Sequence, residues 1–97
     1  MPTYVSLLNW TDKGIGDYKS TLDRAKAAEE LAQRLGGTLK DVYWTVGPYD
    51  LVAVAEFPDD ESSTAFLLAA GAQGAIRTTT MRAFNRDEIA QVIGKAG

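Results

Sequence analysis

The spacing of apolar and polar residues changes along this chain and marks out strands and helices in turn. Thr3 to Asn9 (TYVSLLN) is short and rich in β-forming side chains, and predicts a first strand. Trp10 to Gly16 (WTDKGIG), with its glycines and aspartate, reads as a loop. From Thr21 to Leu35 the period becomes helical. Leu22, Ala25, Ala28, Leu31, Ala32 and Leu35 recur at three- and four-residue spacing, and Asp23, Arg24, Lys26, Glu29, Glu30, Gln33 and Arg34 fill the other faces. Ser20 or Thr21 supplies the N-cap, and Gly36-Gly37 the positive φ that ends the helix.

Thr38 to Val46 (TLKDVYWTV) predicts a second strand, Gly47-Pro48 a hairpin turn, and Tyr49 to Phe57 (YDLVAVAEF) a third strand. Pro58-Asp59-Asp60-Glu61 starts a helix, because acidic side chains favour the positive end of its dipole, and that helix runs to about Ala72. Ala75 to Phe84 (AIRTTTMRAF) predicts the fourth strand. Asn85-Arg86-Asp87-Glu88 resembles a capping box before a last helix, from Asp87 to about Lys95. The order βαββαβ plus a C-terminal helix predicts one α+β, ferredoxin-like domain over residues 1–97.

Which strands lie inside the sheet follows from their two faces. The third strand presents Leu51, Ala53, Ala55 and Phe57 on one face and Val52 and Val54 on the other. The first presents Val5 and Leu7 against Tyr4 and Leu8. Strands apolar on both faces belong in the centre. Lys40, Asp41, Arg77 and Arg82 suit the second and fourth to the edges. The expected antiparallel order is 4-1-3-2. Two helices cover only one face, so the other exposes an apolar patch unusual in a monomer. Hiding several hundred Å² per subunit contributes on the order of 10 kcal/mol before association costs. A homodimer or higher homo-oligomer is therefore expected.

Composition narrows the chemistry. The chain has 97 residues, 45% hydrophobic and 24% charged, with neither cysteine nor histidine. Disulfides, thiolate metal sites, cysteine nucleophiles and a Ser-His-Asp triad are thereby excluded, and no metal or cofactor is expected. A net charge of −3 argues against nucleic acid as a partner. The N-terminus lacks a basic segment followed by a long apolar one, so no signal peptide is expected. The longest apolar run, Ala65 to Ala72, is eight residues and too short for a membrane span. The cytoplasm is the expected location.

Several stretches resemble the GYD domain family. Gly47-Pro48-Tyr49-Asp50, then Leu51 to Glu56 and Pro58-Asp59-Asp60, is similar to its signature, with Pro48 as the one departure. Arg77 to Phe84 is similar to its fourth strand; Tyr4-Val5 to Asn9-Trp10-Thr11 and Leu35-Gly36-Gly37 also match. The resemblance implies a dimeric α/β-barrel fold. That group includes cofactor-free monooxygenases, small isomerases and cyclases, haem proteins and the effector-binding module of feast/famine regulators. The last also carry a Gly-x-Tyr-Asp-like stretch on strand three. The fold therefore leaves the activity open.

No acid, base or nucleophile stands out, so catalytic residues are unassigned. Asp50 and Glu56, six apart on strand three, lie roughly 20 Å from each other at ~3.3 Å per residue and cannot flank one bond. Each reads as a strand-end cap or a partner of an edge cation, with a place at a pocket mouth as the alternative. Tyr49 faces away from Asp50, as a packing or interface aromatic or as a hydrogen-bonding site residue. The resemblance implies more for Asn9, Trp10 and Arg77, since oxygenases of this fold set those residue types around a planar phenol. The plainer reading has Trp10 packing under the loop and Asn9 tying off backbone. Arg77 and Arg82, five apart, face opposite ways, as solvated edge residues or an anion-binding strip. Ser62 to Ile76 has no charge, which predicts a subunit contact or the wall of an apolar cavity. Asp12 to Asp17 lacks a calcium-loop spacing and opens no helix, so it is a poor phosphate loop. The expected function is the binding of a small apolar or aromatic ligand, with a cofactor-independent monooxygenase or isomerase as the alternative.

Overall fold

A computed structural model describes residues 1–97. Four strands, β1 (Thr3–Trp10), β2 (Thr38–Trp44), β3 (Leu51–Glu56) and β4 (Ile76–Ala83), form an antiparallel sheet in the order β2-β3-β1-β4. This is the α+β, ferredoxin-like arrangement, with the expected strands at centre and edge. The crossovers are α2 (Thr21–Arg34) and α3 (Asp60–Ala72); a short α1 (Asp12–Gly16) follows β1, and α4 (Arg86–Ala96) ends the chain.

Register fixes what each face carries. On the face beneath the crossover helices, Leu39, Ala55, Tyr4 and Arg82 form one row. Val42, Ala53, Ser6 and Thr80 form the next, and Trp44, Leu51, Leu8 and Thr78 the third. A bulge between Leu39 and Asp41 keeps Leu39 and Val42 on that side despite their odd spacing. The opposite face alternates with it: Tyr43, Val52, Leu7 and Thr79, then Asp41, Val54, Val5 and Met81. Nothing within the chain covers this second face, and Tyr43 and Met81 are 60% and 46% exposed there.

The core lies at one end of the covered layer. Phe57, 1% exposed, stands 5.1 Å from Phe66 and 6.2 Å from Tyr4 by ring centroids, and Ala32 of α2 closes over them. Gly37 passes so near that a Cβ would strike the Phe57 ring and the Glu56 carbonyl. Asp59 caps α3 by accepting from the Ser62 N–H at 2.8 Å, which holds its carboxyl below the usual value. Asn85 and Glu88 form the anticipated capping box at α4.

The structure corrects several boundaries. Trp10 to Gly16 is not a loop: Trp10 completes β1 and residues 12–16 coil into α1. Thr11 accepts from the Gly14 N–H at 3.2 Å and donates to the Gly74 carbonyl at 2.5 Å. Gly14 lies so close to the Ala75 carbonyl that no Cβ fits, so its glycine serves close approach, not flexibility. The segment after β1 thus does open a helix, though of a single turn. The second strand stops at Trp44, not Val46, and the third starts at Leu51, leaving Tyr49 and Asp50 outside it. Neither Ser20 nor Thr21 caps α2 with its side chain; the Thr21 hydroxyl instead accepts from Trp44 Nε1 at 3.0 Å.

Candidate functional site

Alanine and other small residues face one another across much of the helix–sheet layer. The sheet offers Ser6, Ala53 and Ala55 beside Leu8, while α2 offers Ala25 and Ala28 and α3 offers Ala70. Helix propensity and strand alternation are satisfied, yet such short side chains cannot span the gap between layers. A cavity of about 830 Å³ remains between α2, α3 and the sheet. Its size falls within the roughly 300–1,000 Å³ of small-molecule sites.

Trp10 forms part of one wall, with Leu51 and Ile76 nearby and Phe66 and Leu67 on the α3 side. Two of the hydroxyls on the wall are engaged with neighbours, and Thr78 adds a third hydroxyl. Ser6 and Thr80 share a hydroxyl hydrogen bond of 2.8 Å, and Thr21 is held by Trp44. At the α1 end the cavity borders a smaller one of about 410 Å³, and the two share Arg24, Gln73 and Ala75. Lys13, Asp17 and Ser20 line the smaller one. Arg24 is half-buried there and donates to the carbonyls of Asp17 and Gly14 at 3.1 and 3.3 Å.

The five residues singled out from sequence do not converge on this cavity. Trp10 alone lines it. Asn9 and Arg77 are register partners between β1 and β4 on the uncovered face, so the sheet separates them from the Trp10 side chain. Asn9 Nδ2 donates to the Pro48 carbonyl at 2.8 Å. Asp50 accepts from the Trp10 N–H through Oδ2 at 2.8 Å, while its own N–H donates to Leu8 at 2.8 Å. The Tyr49 carbonyl accepts from the Thr45 hydroxyl at 2.6 Å. These bonds fasten the β2–β3 connection across the end of β1. Glu56 pairs with Lys40 at 3.3 Å. Arg77 sits on the uncovered face; Arg82, on the covered one, lies 4.4 Å from the Phe84 ring centroid and 3.9 Å from Glu88.

Helical spacing alone places Arg24 among the polar residues on the outer face of its helix. Its role emerges only when α1 folds back beside α2 and presents carbonyls to it. The uncharged stretch of α3 is the one sequence signal that points towards the cavity, as a candidate wall. No helix is long and apolar enough to cross a membrane, and no cluster of acidic side chains is placed to hold a metal.

Residues 4–93 match the family model for the GYD domain. The chain is 31% identical over 84 residues to the glutamine synthetase and cystathionine β-lyase binding protein of Thermus thermophilus, covering 86% of this chain and 88% of that one. It is also similar to the crystal structure of TTHA0845, from the same organism, at 26% identity and TM-score 0.55, covering 88% and 95% of the two chains. A feast or famine regulatory protein of M. tuberculosis, complexed with L-methionine, shares the fold at 13% identity and TM-score 0.67. The chain spans about half of that regulator, with 88% of this chain and 51% of that one covered.

Proposed function

The chain belongs to the GYD domain family, and on that premise we propose that it is a homodimeric, non-enzymatic module that binds a small apolar or aromatic molecule. The observation that carries the reading is the 830 Å³ cavity, lined mainly by apolar side chains, between the helices and the sheet. Trp10 is the candidate residue assigned to ligand contact. Asn9, Tyr49 and Asp50 act beside it by holding the strand ends, and Arg77 belongs to the face reserved for the second copy. The oxygenase alternative draws no support from the geometry, because Asn9 and Arg77 share no pocket with Trp10.

The second copy rests on surface area. The chain exposes 6427 Å², whereas a compact monomer of 10.5 kDa exposes about 5,400 Å². Its radius of gyration is 14.4 Å, against about 12.5 Å for a compact domain of 97 residues. The excess is comparable to the roughly 800 Å² that each partner hides in a standard interface, and it is shared between the uncovered sheet face and α4, none of whose residues is buried. Val5, Leu7, Val52 and Val54 form a continuous apolar block at the centre of the bare face, the natural seat for that interface.

Native mass spectrometry of the purified protein tests both parts at once. The expected spectrum shows a dimer carrying, or able to take up, one small molecule per subunit. Val54→Asp is expected to give monomers at micromolar concentration, and a wild type that is monomeric there overturns the dimer.

A partner-protein reading is favoured by one finding, the name of the Thermus thermophilus relative, which binds two metabolic enzymes. Co-elution of this protein with purified glutamine synthetase or cystathionine β-lyase, undiminished when the cavity is filled by Ala53→Leu, would favour that role over ligand binding.

A further inference from the structure

Taking the cavity as the ligand site, we propose that its ligand is an organic acid. An aromatic or aliphatic body fills the apolar chamber, and its carboxylate meets Arg24 and Lys13 where the two cavities join.

The sheet wall of the chamber supplies no charged partner to a buried ligand. Ser6 is bonded to Thr80 and Thr21 to Trp44, which leaves the Thr78 hydroxyl as a neutral sheet donor and no charged group on the sheet wall, so a carboxylate deep inside would lose its water without a cation to replace it. At the far end Glu30 and Arg34 are exposed and lie four residues apart on α2, so water screens both charges and a carboxylate of the ligand's own sign stands beside the guanidinium. The α1 end is different. Arg24 is held by the neutral carbonyls of Asp17 and Gly14, and its side chain is only 22% exposed. The nearest carboxylate, Asp17, is 3.9 Å away with its own side chain 66% exposed. Lys13 Nζ is likewise held by a carbonyl, that of Gln73, at 2.7 Å.

Carbonyls orient a cation without neutralising it. Guanidinium carries five N–H donors and ammonium three, so both groups keep donors free after these bonds. Two cations lie where the cavities meet: half-buried Arg24, whose one carboxylate partner, Asp17, is at 3.9 Å and mostly solvated, and exposed Lys13 on the smaller cavity beside it. That arrangement recognises an anion with a greasy body, and guanidinium matches a carboxylate in plane and spacing. Their prior fixation also reduces the ordering cost of binding.

The test compares a matched pair, 2-naphthoic acid and 2-naphthol, by isothermal titration at pH 7. The acid is expected to bind wild-type protein at least tenfold more tightly than the alcohol, and added salt to narrow the gap. Arg24→Gln is expected to remove the gap while leaving the alcohol within twofold, and Lys13→Gln to reduce it several-fold. Because Arg24 also braces α1, Arg24→Gln is checked first by circular dichroism; if it fails to fold, Lys13→Gln and the wild-type gap decide. Equal affinity of acid and alcohol for the wild type overturns the organic-acid proposal and leaves the cavity standing. If neither compound binds, or if Ala53→Leu binds both as well as the wild type does, the cavity reading itself falls.

Discussion

At the end of the layer where β1 begins, the Phe57 ring lies 5.1 Å from Phe66 and 6.2 Å from Tyr4, and Gly37 has no room for a methyl group. Towards the end where β1 finishes, Ala25, Ala53 and Ala70 face across 830 Å³ of unfilled space. Both regions satisfy the same apolar pattern in strand and helix. What separates them is how side-chain volume is placed: at one end the Phe57 ring fills the layer between Phe66 and Tyr4, and at the other the large side chains, Phe66 and Trp10 among them, stand around a space that the alanines between them do not reach across. Hydrophobic pattern therefore sets the fold, while residue size decides where the fold keeps a chamber.

The sharpest way to break this contrast is to remove a bridging ring. Phe57→Ala is expected to lower stability by about 3–5 kcal/mol, since the ring is fully buried and its neighbours are fixed. Urea unfolding measures it, and a loss under about 1 kcal/mol would mean that the aromatic end is as loose as the other. Adding volume reverses the roles. Ala32→Leu at the packed end is expected to cost about 1–3 kcal/mol. Ala53→Leu at the cavity end is expected to leave the unfolding midpoint nearly unchanged and to lower the affinity for 2-naphthoic acid at least tenfold. Equal losses of stability in the two variants would erase the distinction.

Much of this frame was legible in the chain. The two-faced apolar character of strands one and three placed them at the centre, and Asn85 with Glu88 announced the last helix cap. What escaped is tertiary in origin. Gly14 and Gly16 read as loop residues, because only the Ala75 carbonyl, distant in sequence, reveals why a glycine lies inside a helical turn. Tyr49 and Asp50 read as strand because their neighbours are strand-like, yet Asp50 uses its carboxylate to close the end of β1. Alanines at helical spacing say that a face is buried, but not whether the opposing residues are long enough to reach it. The cavity was therefore visible only as a candidate wall along α3, and Arg24 only as a surface charge.

Tyr4 gives the packed end a signature in pH. Burial, above all, and then the 2.5 Å hydrogen bond and charge of Asp60 raise its pKa above the ordinary 10.0; Arg82 pulls the other way and Asp59 adds a small push. The folded state thus holds this proton more tightly than the unfolded chain. That stabilisation is complete below the unfolded value of 10.0 and is lost as pH climbs above it. Tyr4→Phe is expected to cost about 1 kcal/mol at neutral pH through the lost hydrogen bond. It should also flatten the alkaline fall in stability above pH 10.0. An alkaline limb identical in wild type and variant would show that the ring does not report on the core.

The smallest effect is expected at a glycine of the loose end. Gly71 lies in the last turn of α3, where a Cβ would meet nothing within 4 Å. Glycine in a helix interior costs roughly 0.8–1.0 kcal/mol relative to alanine, mostly through the freedom it retains when unfolded. Gly71→Ala is therefore expected to stabilise the protein by about 0.5–1 kcal/mol. Gly37→Ala at the packed end has the same chemistry and the opposite sign, because its methyl group meets the Phe57 ring and the Glu56 carbonyl. One substitution made at both ends measures the difference in free space directly. If both alanines destabilise, α3 is packed more closely around Gly71 than its surroundings indicate.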